Sequence, residues 1–461
     1  MDLFRKKEIG ESFEEGSSLV KCLTAFDLTL LGIGAIIGAG IFVLTGIVAA
    51  TDAGPAVIFS YILAGLACIF SALSYAELAS SLGGCGSAYG YAYAGFGEIV
   101  AWIVGWDLLF EYTISVSAVS VGWSSYANDF FLALKIHIPA VFLHGPENGG
   151  FFNLLACSII VILMVLLTWG VKSSIRVNNI MVIIKLLVIL MFIVIALGEV
   201  DPSNWSPFFP YGWEGVVKGA SLIFFAYIGF DAVSTAAEEA INPQRDLPIG
   251  IIGSLFICTV LYMIVAGLLT GIAHYSTLNV ASPISHALLV LGYKSVASLI
   301  SVGAIAGLTT VMLVLFYGLT RIMLAMSRDG LLPKVFSQTN PYTHTPIRVI
   351  LISGILMSLF AALVSMHDLT ELVNIGTLFA FLMVCAGVLY LHYKRPDLHR
   401  PFKTPGMPYV PILGMISCSY LIINLPFITL MRFVIWMAIG LVVYFSFAYK
   451  NSQLSKVKIK K

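Results

Sequence analysis

The chain has 461 residues, with 25 Lys and Arg against 24 Asp and Glu and a formal net charge of +1. Hydrophobic residues make up 59% of it and charged residues 11%, where a soluble domain is roughly 45–50% apolar and about 25% charged. A chain of this kind cannot cover itself with polar groups, which excludes a disordered protein, a nucleic-acid binder and a secreted disulfide scaffold, and leaves a polytopic membrane protein.

The first two dozen residues are charged and polar, so no cleavable signal is expected and 1–24 reads as a cytoplasmic N-terminal segment. A span needs about 20 mostly apolar residues. Twelve stretches qualify, near 25–50, 55–82, 98–131, 151–170, 178–199, 214–240, 247–273, 284–327, 345–366, 369–393, 408–430 and 432–450. The third and eighth exceed one membrane thickness and are expected to continue as tilted or extended helices. With the N-terminus inside, twenty Lys and Arg fall on the cytoplasmic side against four opposite, Lys135, Lys218, Lys294 and Arg432. The remaining one, Lys185, lies within a span. An even number of spans returns the C-terminus to the cytoplasm, where 451–461 reads as a basic tail that is solvated or bound to lipid headgroups.

The first stretch opens on Thr24-Ala-Phe-Asp27, a capping-box pattern. It then reads Gly32-Ile-Gly34-Ala-Ile-Ile-Gly38-Ala-Gly40-Ile-Phe42, in which Gly38 and Gly40 weaken the helix near mid-membrane. The sixth stretch has a matching interruption, Phe224-Phe-Ala-Tyr-Ile-Gly229-Phe-Asp231. Glycines of this kind can be mere close-packing points. Breaks in spans one and six, however, divide the first ten spans into two groups of five with opposite orientation, and matched broken helices in an inverted repeat point to a transporter's binding site. The expected divisions are 25–199 and 214–393 for the two repeats and 408–450 for two further helices.

A broken helix offers partners for a zwitterion. The N–H groups at the start of the second half, from Gly38, Ala39, Gly40 and Ile41, suit a carboxylate. The carbonyls of Ile36, Ile37, Phe225, Ala226 and Ile228 suit an ammonium. Lys185, in Asn179-Ile-Met-Val-Ile-Ile-Lys185, either snorkels to the cytoplasmic face or has a partner inside the membrane, since a charge near the centre costs about 2.5–3.5 kcal/mol. Glu111 can shape a pocket floor, bind a cationic side chain, pair with Lys185, or be satisfied by neighbouring hydroxyls. Asp231 can bond free backbone N–H groups or relay protons. Glu77, Glu238 and Glu239 lie toward the cytoplasm and suit gating or helix-end contacts, with Glu77 a further relay candidate.

Other classes fit poorly. The eight His are dispersed toward loops and span ends and no Gly-x-Ser-x-Gly elbow occurs, against an enzyme. No phosphate-cradling motif suggests a primary pump, and no filter repeat suggests a channel. The seven Cys are scattered singly and read as packing residues, without metal spacing. No cofactor is expected.

Several segments resemble the amino acid–polyamine–organocation (APC) superfamily: Gly38-Ala-Gly40-Ile-Phe42, Tyr75-Ala-Glu77-Leu-Ala79 with Gly86-Ser-Ala-Tyr89, Phe225-Ala-Tyr-Ile-Gly-Phe-Asp231 with Glu238-Glu239, Arg328-Asp-Gly330, and Arg400-Pro-Phe-Lys-Thr-Pro405. In order and over nearly the whole chain they look like a bacterial version of the cationic amino acid transporter branch. The resemblance implies a LeuT-like fold, all-α with twelve transmembrane helices: a five-plus-five inverted repeat with helices one and six broken, plus two C-terminal helices. It implies an L-amino acid as substrate, often driven by protons, and a side-chain pocket for which Glu111, Phe225, Phe230 and Met312 are the candidates. It matches Lys185 to a fifth-helix lysine whose ammonium stands where sodium-coupled cousins hold sodium, with the Gly34 carbonyl as partner. Apolar walls favour small neutral or broad selectivity; the family branch pulls toward arginine and lysine. Partners are then the amino acid and membrane lipids, not nucleic acid, and the sequence sets neither an oligomeric state nor a small membrane-protein partner.

Overall fold

A computed structural model of the protein describes residues 4–6, 21–82, 84, 86–133, 135–146, 149–280, 282–364, 366–423 and 425–455. Most of the N-terminal segment, Cys85 and the lysines beyond 455 therefore lie outside the described residues. Among the described residues all regular structure is helical, apart from one isolated parallel bridge between Leu23 and Ala240. Eight helical runs are long and apolar enough to cross a membrane, and the first, Ala25–Leu82, extends over 58 residues. Leu154–Thr168, Ile347–Leu363 and Tyr409–Ile423 are shorter apolar helices.

In chain order, α1 is Ala25–Ile36 and α2 covers 40–53, with the break between them. Gly54 (φ 63) and Pro55 separate α2 from α3, Val57–Leu82. A short buried helix α4, Ala88–Gly95, precedes α5, Glu98–Ala133, which runs unbroken for 36 residues as the long third stretch predicts. There follow α6 (Leu154–Thr168), α7 (Val171–Gly198), α8 (Gly212–Ile223), α9 (Pro243–Ile272), α10 (Pro283–Val290), α11 (Lys294–Arg328), α12 (Ile347–Leu363), α13 (Met366–Lys394), α14 (Tyr409–Ile423) and α15 (Phe427–Val443). The eighth stretch is not one extended helix. The chain leaves α10 at Leu291, turns at Gly292 (φ 91) and restarts at Lys294. A left-handed residue cannot continue an α-helix, and Gly adopts it at no steric cost.

Why these ends form is local chemistry. Thr24 and Asp27 make the capping box: the Asp27 amide donates to Thr24 Oγ1 (3.3 Å) and the Thr24 amide to Asp27 Oδ2 (3.0 Å). The α5 N-terminus is completed from the far start of the chain. The Glu98 amide donates to the Arg5 carbonyl at 2.9 Å. The buried Glu98 carboxylate accepts from Arg5 (3.2 Å), Tyr93 (3.1 Å), Tyr444 (3.0 Å) and Ser452 (2.5 Å).

The core lies where α1 packs against α7, α9 and α11, and α5 against α11 and α13. Outward faces are apolar and bare, as on α7 and α15, where Val194 and Val442 are exposed. Large exposed apolar faces of this kind mark a surface meant for lipid. Many of the polar exceptions are turned inward, and several of them stand around the two breaks.

Candidate functional site

The first break is the extended residue Ile37 (ψ 100), whose amide still donates to Ile33 O at 3.0 Å. Beyond it, the first backbone bond runs from Phe42 N–H to Gly38 O (3.3 Å). Among the described residues this leaves the N–H groups of Ala39, Gly40 and Ile41 at the open start of α2. The second break follows a single tight turn, Phe224–Tyr227, with Ile228 extended (ψ 136) and Gly229 left-handed (φ 117). A 3₁₀ segment, Phe230–Glu239, then continues the chain.

The two breaks touch. A Cβ at Gly40 would lie 2.2 Å from Ala226 Cβ and 2.6 Å from its Cα, so only glycine fits there. A Cβ at Gly229 would meet Ala35 at 2.7 Å. Tyrosines from three helices donate to carbonyls at and beside the breaks. Tyr262 of α9 places its hydroxyl 2.7 Å from Ile36 O and 2.9 Å from Ala226 O, sharing one proton between the breaks. Tyr61 of α3 donates to Gly40 O (3.0 Å), and Tyr126 of α5 to Phe42 O (3.0 Å).

Around the junction lies a cavity of about 20 Å³, room for about one water. It is lined by Ala35, Ile36, Gly38, Ala39 and Gly40 from the first break, Phe225 and Ile228 from the second, Ser115 and Val119 from α5, and Val311 and Leu315 from α11. No charged side chain is among them. Ile37 and Ala226 stand behind this lining.

Several expected residues stand elsewhere. Met312 is fully buried but does not line the cavity; its neighbour Val311, about 100° round the helix, does. Phe230 lies beyond the Gly229 turn and packs on Phe381 (4.8 Å between ring centres) and Tyr75 (5.8 Å). Glu111 is one turn before Ser115; its Oε1 accepts from the Thr377 hydroxyl at 2.6 Å, its buried Oε2 has no hydrogen-bond partner among the described residues, and it is not paired with Lys185. The carbonyls expected to be free for an ammonium are partly engaged. Ile37 O accepts from Lys185, Ile36 O and Ala226 O share Tyr262, and Phe225 O accepts from the Ile228 amide (3.3 Å). A carbonyl has a second lone pair, so engagement narrows this ammonium site without closing it.

Lys185 is wholly buried and does not snorkel. Its ammonium reaches Ile33 O (3.0 Å), Gly34 O (3.0 Å), Ile37 O (2.8 Å) and Thr310 Oγ1 (2.8 Å). Three carbonyls at the end of α1 and one hydroxyl of α11 thus converge on one cation, which sits where the negative end of the α1 dipole points. Gly34 approaches Asn178 of α7 so closely that a Cβ would fall 2.7 Å from Asn178 Oδ1, which keeps α7 and its lysine against α1.

The carboxylates on the opposite side of the second break are tied down. Asp231 accepts from Tyr112 at 2.5 Å. Glu239 pairs with the buried Arg321 (2.9 Å) and accepts from Tyr317, while Glu238 pairs with Arg328 (2.9 Å). Glu77 receives Arg400 Nε (3.0 Å) and the Thr404 amide (2.7 Å), so both its oxygens anchor the loop after α13. The tyrosines and the Arg321–Glu239 pair escape sequence reasoning. Their only signal is a polar tip within an otherwise apolar run.

Residues 23–449 match the family model described as amino acid permease. The chain is 50% identical over 462 aligned positions to the branched-chain amino acid permease BcaP of Bacillus subtilis, covering 98% of this chain and 99% of that one. It is 48% identical over 458 positions to the methylthioribose transporter of the same organism, again covering 98% and 99%. A more distant relative is cationic amino acid transporter 9, chloroplastic, of Arabidopsis thaliana, 44% identical over 414 positions, covering 88% of this chain and 73% of that one.

Proposed function

The chain belongs to the amino acid permease family of the APC superfamily and is a transporter, not an enzyme, and on that premise we propose that it takes up neutral aliphatic L-amino acids across the cell membrane, driven by protons. The observation that carries the substrate class is the lining of the cavity between the breaks, which at about 20 Å³ must widen to admit an amino acid. Its backbone donors suit a carboxylate, and its side-chain walls are Val119, Phe225, Val311 and Leu315, with no acid to receive a guanidinium or second ammonium. The similarity to a branched-chain amino acid permease supports this reading. In it, the 58-residue run forms two crossings and the three shorter apolar helices complete twelve. The first ten form the inverted five-plus-five repeat, and both termini are cytoplasmic, in keeping with the distribution of Lys and Arg. Lys185 is the coupling group. It is the cation that joins α7 to the carbonyls below the first break, and it would exchange its proton as those carbonyls move.

A second reading is favoured by the nearly equal identity to the methylthioribose transporter. The two differ in one chemical respect: the thiosugar has no carboxylate for the α2 N-terminus. Purified protein in liposomes should accumulate alanine, valine or leucine under an inward proton gradient and not under a sodium gradient. Leucine should compete and its decarboxylated amine should not. Competition by methylthioribose with none by leucine would replace the amino acid reading with the sugar one. Arginine competing far better than leucine would return attention to Glu111.

A further inference from the structure

On the flank of the molecule, away from the breaks, a groove of about 640 Å³ opens between the start of α9 and the loop after α13. Its walls are Pro248, Ile249, Ile252 and Gly253 on one side and Pro401 and Phe402 on the other, and Gln244 and Arg245 stand at its end. Ile249, Gln244, Arg245 and Pro401 are exposed, so the groove is open along its length. Its floor reaches α1, where a Cβ at Gly253 would stand 3.7 Å from Thr29 Cγ2.

The polar end carries uncompensated positive charge. Arg245 makes no ion pair or side-chain hydrogen bond among the described residues, and neither does the exposed Lys403, which follows Phe402 in the chain without itself lining the groove. The acids nearby are spent. Glu77 is held by Arg400 and by the Thr404 amide. Asp246 is buried and accepts from the Asn242 amide at 3.3 Å. An apolar trough that ends at Arg245, where a membrane helix begins, with Lys403 following the Phe402 wall in the chain, complements a molecule with the same division: an acyl chain and an anionic head.

We propose that this groove binds one anionic phospholipid of the leaflet on that side, with an acyl chain along Ile249, Ile252 and Phe402 and its phosphate between Arg245 and Lys403. The inference rests on the reading of the chain as membrane-spanning. Each cation close to an anionic headgroup is worth about 1 kcal/mol, and two correspond to roughly thirty-fold in affinity. Because the groove floor touches α1, the lipid stands against the helix that carries the Lys185 carbonyls.

The test is native mass spectrometry of the delipidated full-length protein, titrated with phosphatidylglycerol or phosphatidylcholine of identical acyl chains. One phosphatidylglycerol should be retained roughly thirty-fold more tightly than phosphatidylcholine. Arg245→Gln with Lys403→Gln should remove that preference and leave phosphatidylcholine binding unchanged. Lys135→Gln with Lys294→Gln, which removes the same charge elsewhere, should keep it. Ile249→Trp, filling the trough, should weaken both lipids. Equal retention of the two lipids by the wild type overturns the proposal, as does equal loss of preference in both double variants. Displacement of phosphatidylglycerol by millimolar inorganic phosphate overturns it too, because the site would then read only an anion. The measurement needs neither transport nor sidedness, so its failure leaves the transport reading standing, and failed uptake leaves the lipid site standing.

Discussion

Lys218 Nζ lies 2.6 Å from Asp52 Oδ1, joining α8 to the end of α2. The two partners are unlike: the Asp52 side chain is 3% exposed and that of Lys218 73%. Removing the lysine therefore strands a nearly buried carboxylate, whereas removing the acid returns a lysine to water. Lys218→Ala should lower stability by about 1 kcal/mol and Asp52→Asn by less, and Asp52→Asn should rescue Lys218→Ala. A thermal-unfolding double-mutant cycle in detergent measures this; equal and additive losses would mean that the pair is not coupled. The same pair ties the segment after the first break to the segment before the second, so uptake should slow in Lys218→Ala more than binding weakens.

Lys185→Ala and Lys185→Arg should both lose pH-driven accumulation. Alanine leaves the carbonyls of Ile33, Gly34 and Ile37 without their shared donor. Arginine keeps its charge at every accessible pH and is too large for a pocket in which Thr310 already stands 2.8 Å from the amine. Substrate exchange without a gradient can survive in either. Uptake by Lys185→Ala that still follows a pH gradient would remove this residue from the coupling mechanism.

Gly40→Ala should abolish uptake. Its Cβ would stand 2.2 Å from Ala226 Cβ and must force the two breaks apart, at a cost of about 1–3 kcal/mol for overpacking of this kind. Gly90→Ala is the control, since a Cβ there meets nothing within 4 Å. Counterflow of labelled leucine in proteoliposomes separates the two; matching activities would show that the close approach is dispensable.

Side-chain preference should follow Val311. Val311→Ala removes two methyl groups from a wall of the cavity. It should shift the ratio of leucine to alanine uptake toward leucine by roughly 10-fold, the worth of a methylene or two in an apolar pocket. Met312→Ala changes a residue that does not line the cavity and should leave the ratio in place. Initial-rate competition between the two amino acids reads both outcomes, and the opposite ranking would restore Met312 as the wall.

Much of this arrangement is visible in the residues alone. Matched Gly-rich interruptions mark both breaks, because unwinding in the membrane needs small residues that leave backbone exposed. A lone lysine within an apolar run announces Lys185. Position round a helix is harder: a shift of one residue rotates a side chain by about 100°, which is why Val311 faces the cavity and Met312 does not. Phe230 fails for another reason, since the left-handed Gly229 redirects the chain just before it. Tyr61, Tyr126 and Tyr262 were not legible because their rings satisfy the apolar pattern of their helices while their hydroxyls serve carbonyls far away in sequence. The division of α10 from α11 was hidden because Leu291-Gly292-Tyr293 interrupts neither length nor hydropathy.

The Glu98 carboxylate has a consequence for biosynthesis. Arg5 and Tyr93 are made before or with it, but Tyr444 and Ser452 follow by 346 and 354 residues. While the ribosome is still producing the intervening helices, the start of α5 holds a carboxylate whose last two donors do not yet exist. A nascent chain ending before Tyr444 therefore keeps an under-satisfied acid at a helix start that the mature protein seals.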